Sequence, residues 1–361
     1  MDVLKDHFKE FIPEKIKIGI TIANLENYES TKYTNGIDQN ISFVKKYFDT
    51  TDDIDIFFVS DKTEGYKDAI NIYDIDTLKK LDYLIICGAN YEGINKNILD
   101  SDVKVIWWHM GNAFIHDTNK ILIGEQASTL IDFGCNKFHE AWISPHFEYS
   151  IDYYRYNYGN INVGVCPYIW EPVYMEAPYT NDFTHNDINI GVFESNINVN
   201  KSSFIPIIIC ERAKDIINTA FIGCSRKLWN QSADFKTFIK KSSLFKEKRL
   251  TIEERHRFKY VMDNVCNVVV SYVDNVDLNY LFLECFYLGI PLVHNSKMLK
   301  DWGYYYEGCN VNQAVTQIKY IKETFNRKAY INRHAPLLYK YSMKNPEYIK
   351  FFKDHLVKEY K

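Results

Sequence analysis

Short apolar runs alternate along this chain with stretches of helical periodicity. Ile16 to Ala23 (IKIGITIA) reads as a strand, and Asn40 to Phe48 as the helix after it. Ile54 to Val59 predicts a second strand and Thr77 to Leu81 a short helical turn. Tyr83 to Cys87 and Val103 to Trp108 are largely apolar throughout, the signature of parallel strands buried on both faces. Asn162 to Pro167 closes this first series. A junction follows, with Tyr168-Ile169-Trp170-Glu171-Pro172 and then the polar stretch Pro178 to Asp187. The pattern then restarts: strands at Ile188 to Phe193, Thr219 to Gly223, Asn267 to Ser271 and Pro291 to Asn295. Helices are predicted between and after them, at Phe204 to Ile217, Ile252 to Val261, Leu278 to Leu288 and Gln313 to Phe325. Strand alternating with helix predicts an α/β protein of βαβ units, in two similar halves.

Composition changes this picture little. The 361 residues suit two domains, and 46% hydrophobic with 25% charged residues is ordinary for a globular chain. A net charge of -4, with basic residues scattered, gives no footprint for nucleic acid or an anionic membrane surface. The start is polar, without a signal-peptide apolar core, and runs such as Ile205 to Cys210 are far short of a membrane span. The eight cysteines stand singly, without a C-x-x-C pair or a metal-like spacing to histidine. The expectation is a cytoplasmic chain with reduced thiols, no membrane span and no nucleic-acid partner.

Val268 to Ser296 carries the strongest chemical signal. A buried strand leads into a polar loop, and a helix begins near Asp277 to Asn279, residue types that cap N-termini. Leu278, Leu281, Phe282, Cys285 and Leu288 mark the face on the sheet. Gly289 is placed to end the helix and Pro291 prevents its continuation. A helix N-terminus above the carboxyl edge of a parallel sheet favours phosphate. Within the apolar body of this helix Glu284 is the one charged residue. A carboxylate there costs free energy unless it is paired or hydrogen-bonded. It either accepts two ribose hydroxyls, or serves the fold by capping a backbone or pairing with a buried Arg or Lys.

The stretch Asn279 to Val293, with Glu284 followed by Gly289-Ile290-Pro291-Leu292-Val293, resembles the donor-site motif of GT-B glycosyltransferases. In that family a Glu, a Gly-containing turn and a second Glu grip the sugar nucleotide. Glu284 matches the second Glu, which holds ribose, and Asn279 takes the turn glycine's place. Val276 falls where the first Glu stands, with Asp277 one residue later. Ser271, Leu278 and Tyr280 join Asn279 and Asp277 as implied donor-binding positions. Ile190-Gly191-Val192-Phe193-Glu194 followed by Lys201 resembles the strand and loop opening the family's nucleotide domain, with Lys201 set to neutralise a diphosphate. Arg249, Arg255 and Arg257 are alternatives for that charge. In the first half, Thr34-Asn35-Gly36-Ile37-Asp38 resembles the acceptor-side loop, with Gly36 at the cleft. Asp38 is either a base for an acceptor hydroxyl or the cap of the next helix. His109-Met110-Gly111-Asn112 ends a strand where the family meets the sugar, making His109 a second catalytic candidate and Gly111 and Asn112 cleft residues. The chain is also similar to a GT-B-like group with the motifs NG-x-x-QN, MGN and NYLFLE…PLVHNS.

The resemblance implies two Rossmann-like, doubly wound domains facing across a cleft. The first is 1–168, with C-terminal helices 335–361 packing back on it; the second, 169–334, binds the sugar nucleotide. It implies transfer of a sugar from a nucleotide-diphosphate sugar to a hydroxyl of a glycan or other acceptor, without metal or cofactor. It leaves stereochemistry and self-association into a homo-oligomer open. Dinucleotide, P-loop and α/β-hydrolase motifs are all missing. Two rivals remain: a metal-dependent transferase using Asp53-Ile54-Asp55 or Asp74-Ile75-Asp76, and a non-catalytic nucleotide-sugar binder.

Overall fold

The computed structural model describes residues 15–23, 25–32, 35–87, 98–125, 138–172, 175, 179 and 183–356. Thr34 and parts of the stretch 178–187 lie outside them. The chain divides into two compact units: unit 1 is Met1–Ile169 with Asn345–Lys361, and unit 2 is Trp170–Lys344.

Unit 1 holds a 7-stranded sheet: β1 (Ile16–Thr21), β2 (Ile54–Ser60), β3 (Ala69–Asn71), β4 (Tyr83–Ile86), β5 (Lys104–His109), β6 (Glu140–Ile143) and β7 (Asn162–Val165). Their order is β3-β2-β1-β4-β5-β6-β7, and every neighbouring pair is parallel. All four residues of β4 and of β6 are buried, which explains runs such as YLII without polar alternation. The helix Gly36–Phe48 follows β1 and starts earlier than its apolar periodicity suggests, because Asn35 caps it through the Ile37 N–H. The last helix, Pro346–His355, belongs to this unit. Its Phe352 meets Tyr47 and Phe48, Tyr348 donates to the Tyr168 carbonyl at 3.0 Å, and His355 reaches Glu140. The preceding helix, Arg327–Tyr341, lies in unit 2.

Unit 2 holds a 6-stranded sheet: β8 (Asn189–Val192), β9 (Thr219–Ile222), β10 (Leu250–Ile252), β11 (Val268–Val270), β12 (Leu292–His294) and β13 (Tyr304–Tyr305). The order is β10-β9-β8-β11-β12-β13, again all parallel. In both sheets the order reverses beside the first strand, at β1/β4 and β8/β11. Such a switch point leaves a crevice outside the carboxyl ends of the strands.

One predicted helix is wrong. Ile252 to Val261 opens instead with β10, and the helix runs only over Phe258–Asn264. Leu250-Thr251-Ile252 is a three-residue strand whose signal is masked by the charges that follow it. Leu281 is also half-buried rather than part of a closed face. The helix Tyr280–Leu288 is buried on nearly every side, with Tyr287 its one exposed residue. Among the described residues no helix is long and apolar enough to cross a membrane.

Candidate functional site

At the switch point of unit 2, β8 ends at Val192 and β11 at Val270. Just past those ends stand Glu194 and Ser271, both buried. The Ser271 hydroxyl donates to the Glu194 carboxylate in a short hydrogen bond, and the Tyr272 N–H adds a second at 3.2 Å. Burial pushes the Glu194 carboxyl up to about 7, opposed by those hydrogen bonds and by Lys201. Lys201 is half-buried, and its ammonium makes no hydrogen bond or ion pair among the described residues. Burial lowers its pKa, Glu194 opposes that shift, and Arg255 adds to it. A half-buried cation without a partner among the described residues suits an anion.

The loop carrying Lys201 is fixed by asparagines. Asn196, at φ 53°, accepts from the Ser203 N–H at 2.8 Å and donates to the Ser225 hydroxyl at 3.0 Å. Asn200 donates to the Asp274 carbonyl at 2.8 Å, and the Asp274 N–H returns a bond of 2.8 Å to Asn200. The loop after β8 is thereby tied to the loop after β11. From the far side, Asn295 exchanges 2.8 Å hydrogen bonds with both backbone groups of Val273. The Lys297 N–H donates to the Asp277 carboxylate at 2.7 Å, so one oxygen of Asp277 holds the loop. Sequence reasoning missed Asn196, Asn200 and Asn295 as positioning residues; asparagines in the loops that follow strands are their only signal.

This loop delivers the helix Tyr280–Leu288. Asn279 caps it, accepting from the Leu281 N–H at 3.3 Å, and Gly289 ends it in the left-handed region at φ 68°. A Cβ on Gly289 would lie 2.6 Å from the Arg327 side chain, so the position also demands glycine sterically. Leu278 and Tyr280 are buried at the helix start. Glu284 lies one turn in, 8% exposed. Among the described residues its carboxylate has no hydrogen bond and no ion pair, and burial alone pushes it up to about 7. No described backbone group or cation takes Glu284, so its position is not explained by the fold.

Arg249 is used differently: its guanidinium donates to the carbonyls of Asn218 at 2.9 Å, Lys214 at 2.7 Å and Ile217. Arg255 instead lines a cleft of about 460 Å³ at the ends of β8, β9 and β10, with Ser195, Cys224, Arg226, Lys227 and Glu254.

Unit 1 treats its candidates otherwise. Asp38 is buried in the first turn of the helix Gly36–Phe48, whose cap is Asn35. Around Gly36 and Gly111 a Cβ would meet nothing within 4 Å, so neither is forced by crowding. His109, the last residue of β5, stacks on Trp107 at 4.8 Å, and its Nε2 lies 3.1 Å from the Tyr158 hydroxyl. Burial pushes its imidazole down to about 3, leaving it neutral. Asn112 caps the helix Ala113–Leu122 and donates to the Tyr149 hydroxyl at 2.5 Å. Asp74 caps a helical turn through Thr77, and Asp55 pairs with Lys15 at 3.1 Å, which occupies one carboxylate of each D-x-D pair.

Solved structures place this architecture. The chain is similar to an "alpha-glucosyltransferase in complex with UDP and a 13-mer DNA containing a HMU base", with TM-score 0.62 and 13% identity over 95% of this chain and 100% of that one. It is similar to a TarM point mutant from S. aureus, in complex with fondaparinux, alpha-GlcNAc-glycerol and UDP, with TM-score 0.57 and 14% identity over 80% of this chain. The match spans 58% of that TarM chain. It is similar to Anabaena Alr3699/HepE in complex with UDP-glucose, with TM-score 0.51 and 12% identity over 90% of this chain and 99% of that one. No curated protein matches the chain. At these identities the likeness establishes the fold, which is that of the GT-B glycosyltransferases. With residues 18–356 matched, the chain belongs to the family described as "Protein of unknown function (DUF2827)".

Proposed function

We propose that this chain is a glycosyltransferase that moves a sugar from a nucleoside-diphosphate sugar to an acceptor hydroxyl. The observation that carries the reading is Glu284, a buried carboxylate without a partner among the described residues, one turn into the helix that leaves the switch point. Two vicinal ribose hydroxyls would supply the hydrogen bonds that it lacks. Lys201 and the N-terminus of the Asn279-capped helix offset the diphosphate charge, and Glu194 with Ser271 holds the edge between them. Similar structures solved with UDP or UDP-glucose support the same assignment.

In the reaction the bond from the anomeric carbon to the diphosphate oxygen breaks, and the nucleoside diphosphate leaves with the electron pair. The acceptor oxygen bonds to that carbon and gives up its proton. On unit 1, Asp38 is the proposed proton acceptor, and neutral His109 a hydrogen-bonding wall for the sugar. Neither task requires a metal in this reading, and Glu284→Ala is its test. Titration calorimetry with nucleoside diphosphates should show affinity falling a hundredfold or more, on the order of 3–6 kcal/mol for two hydrogen bonds to a charged acceptor. Wild-type affinity in the variant would overturn the donor site. Tight binding by the wild-type chain without sugar transfer to any of a panel of glycan acceptors would make the protein a binder instead.

A further inference from the structure

We infer that the cleft at the ends of β8, β9 and β10 reads a guanine base, so that the donor is a guanosine-diphosphate sugar. This rests on the donor-site reading above and specifies its nucleotide.

The cleft of about 460 Å³ is the right size for part of a small ligand. It adjoins the donor site: Ser195 of its lining follows Glu194, and Arg255 of its lining acts electrostatically on Lys201. A nucleotide with ribose at Glu284 and phosphates at Lys201 still has its base to house, and the wall of this hollow carries Arg255, whose charge acts on Lys201.

The lining chemistry is asymmetric. It contains one carboxylate, Glu254, and the adjacent Glu253 lies outside it. Glu253 pairs with Arg226 at 3.2 Å. The Glu254 carboxylate makes no hydrogen bond or ion pair among the described residues, and only its carbonyl is used, by the Cys224 N–H at 3.2 Å. Lys227 likewise has no side-chain partner among the described residues, while Arg255 stands beside the Cys224 thiol. The hollow thus presents one open carboxylate flanked by cationic donors.

Guanine is the base that matches. Its N1–H and N2–H₂ are adjacent donors that one carboxylate accepts together, and its O6 and N7 are the acceptors that Arg or Lys best satisfies. Uracil would set carbonyl oxygens on both sides of its single N–H against Glu254. Adenine carries no N1–H, and cytosine offers only its N4 amine. Ile197, an apolar lining residue that is 81% exposed, is placed to cover a planar ring.

The test is competition calorimetry on the full chain with GDP, UDP, CDP and ADP, for wild type, Glu254→Gln and Glu284→Ala. GDP should bind about tenfold or more tighter than the others, the value of one bidentate contact. Glu254→Gln should shrink that preference to roughly threefold or less, at an unchanged melting temperature because Glu254 is exposed. UDP binding as tightly as GDP, with affinity lost in Glu284→Ala, would overturn the guanine assignment and leave the donor site standing. A GDP preference that survives Glu254→Gln would also overturn it. Binding of no nucleoside diphosphate at all would overturn both.

Discussion

Glu140 in unit 1 and Glu284 in unit 2 are both buried glutamates, and the fold treats them oppositely. Glu140, 2% exposed, accepts from the Asn162 amide at 2.7 Å and the Trp142 indole at 3.0 Å, and lies 2.7 Å from the His355 imidazole. Each of those partners belongs to a different element: β7, β6 itself and the helix Pro346–His355. Glu140 is therefore a fastener for the C-terminal helix. Glu284 has comparable burial and none of these partners. Burial of a carboxylate is costly in both places, but only in unit 1 does the chain itself offset the cost. The missing partners of Glu284 are the reason we propose that a ligand supplies them.

The largest effect expected from this contrast is in unit 1. Glu140→Ala leaves an indole N–H, an amide and an imidazole without their acceptor and undocks the last helix. Leaving buried donors without their acceptor costs about 1–3 kcal/mol each. Calorimetry should show one of two unfolding transitions falling sharply, with nucleotide binding retained by what remains folded. An unshifted thermogram would remove Glu140 as a fastener.

Glu284→Gln should act in the opposite direction. The folded protein holds this carboxyl up to about 7, against an ordinary value of 4.5. Between those values the unfolded chain releases its proton first, so stability falls as pH rises through the window. Above it the penalty is complete, roughly 3 kcal/mol. The glutamine variant should match wild type near pH 4.5 and exceed it at pH 8, as read by chemical denaturation at both values. Equal stability at pH 8 would mean that Glu284 is satisfied after all. The smallest effect concerns the helix that carries it: Asn279→Ala should cost about 1 kcal/mol, the usual loss of an N-cap, measurable as a lowered urea midpoint at constant slope.

Much of the Glu284 helix is legible in the residues. Asn279 and Gly289 bracket it with cap chemistry that depends on neighbours in sequence, so local pattern suffices. The strands of both sheets are legible for the same reason where they are long and apolar, as in β1, β2 and β5. Four short strands are not. Ala69–Asn71 is three residues long, Leu250–Ile252 is followed by Glu253-Glu254-Arg255, Glu140–Ile143 begins with a charge, and Tyr304–Tyr305 is two residues long. Their pairing is fixed by neighbouring strands, not by their own composition. His109 shows a further limit. Its place at a strand end, with Trp107 two residues before it on the same face, is readable, whereas Tyr158, which stacks on it and adds to the burial that keeps it neutral, comes from tertiary packing.

The sequence by itself determined two series of βαβ units, the caps of the helix after β11, and the presence of one carboxylate in an apolar helix body. Those features rest on short-range periodicity and on backbone chemistry within a few residues. Only the tertiary structure decided that Glu194 and Ser271 meet across the switch point, 77 residues apart. It decided likewise that Arg249 serves the fold while Arg255 faces a cleft, and that among the described residues Glu140 is paired while Glu284 is not. Whether a buried charge finds a partner depends on which distant segments the chain brings against it, and no local pattern carries that information.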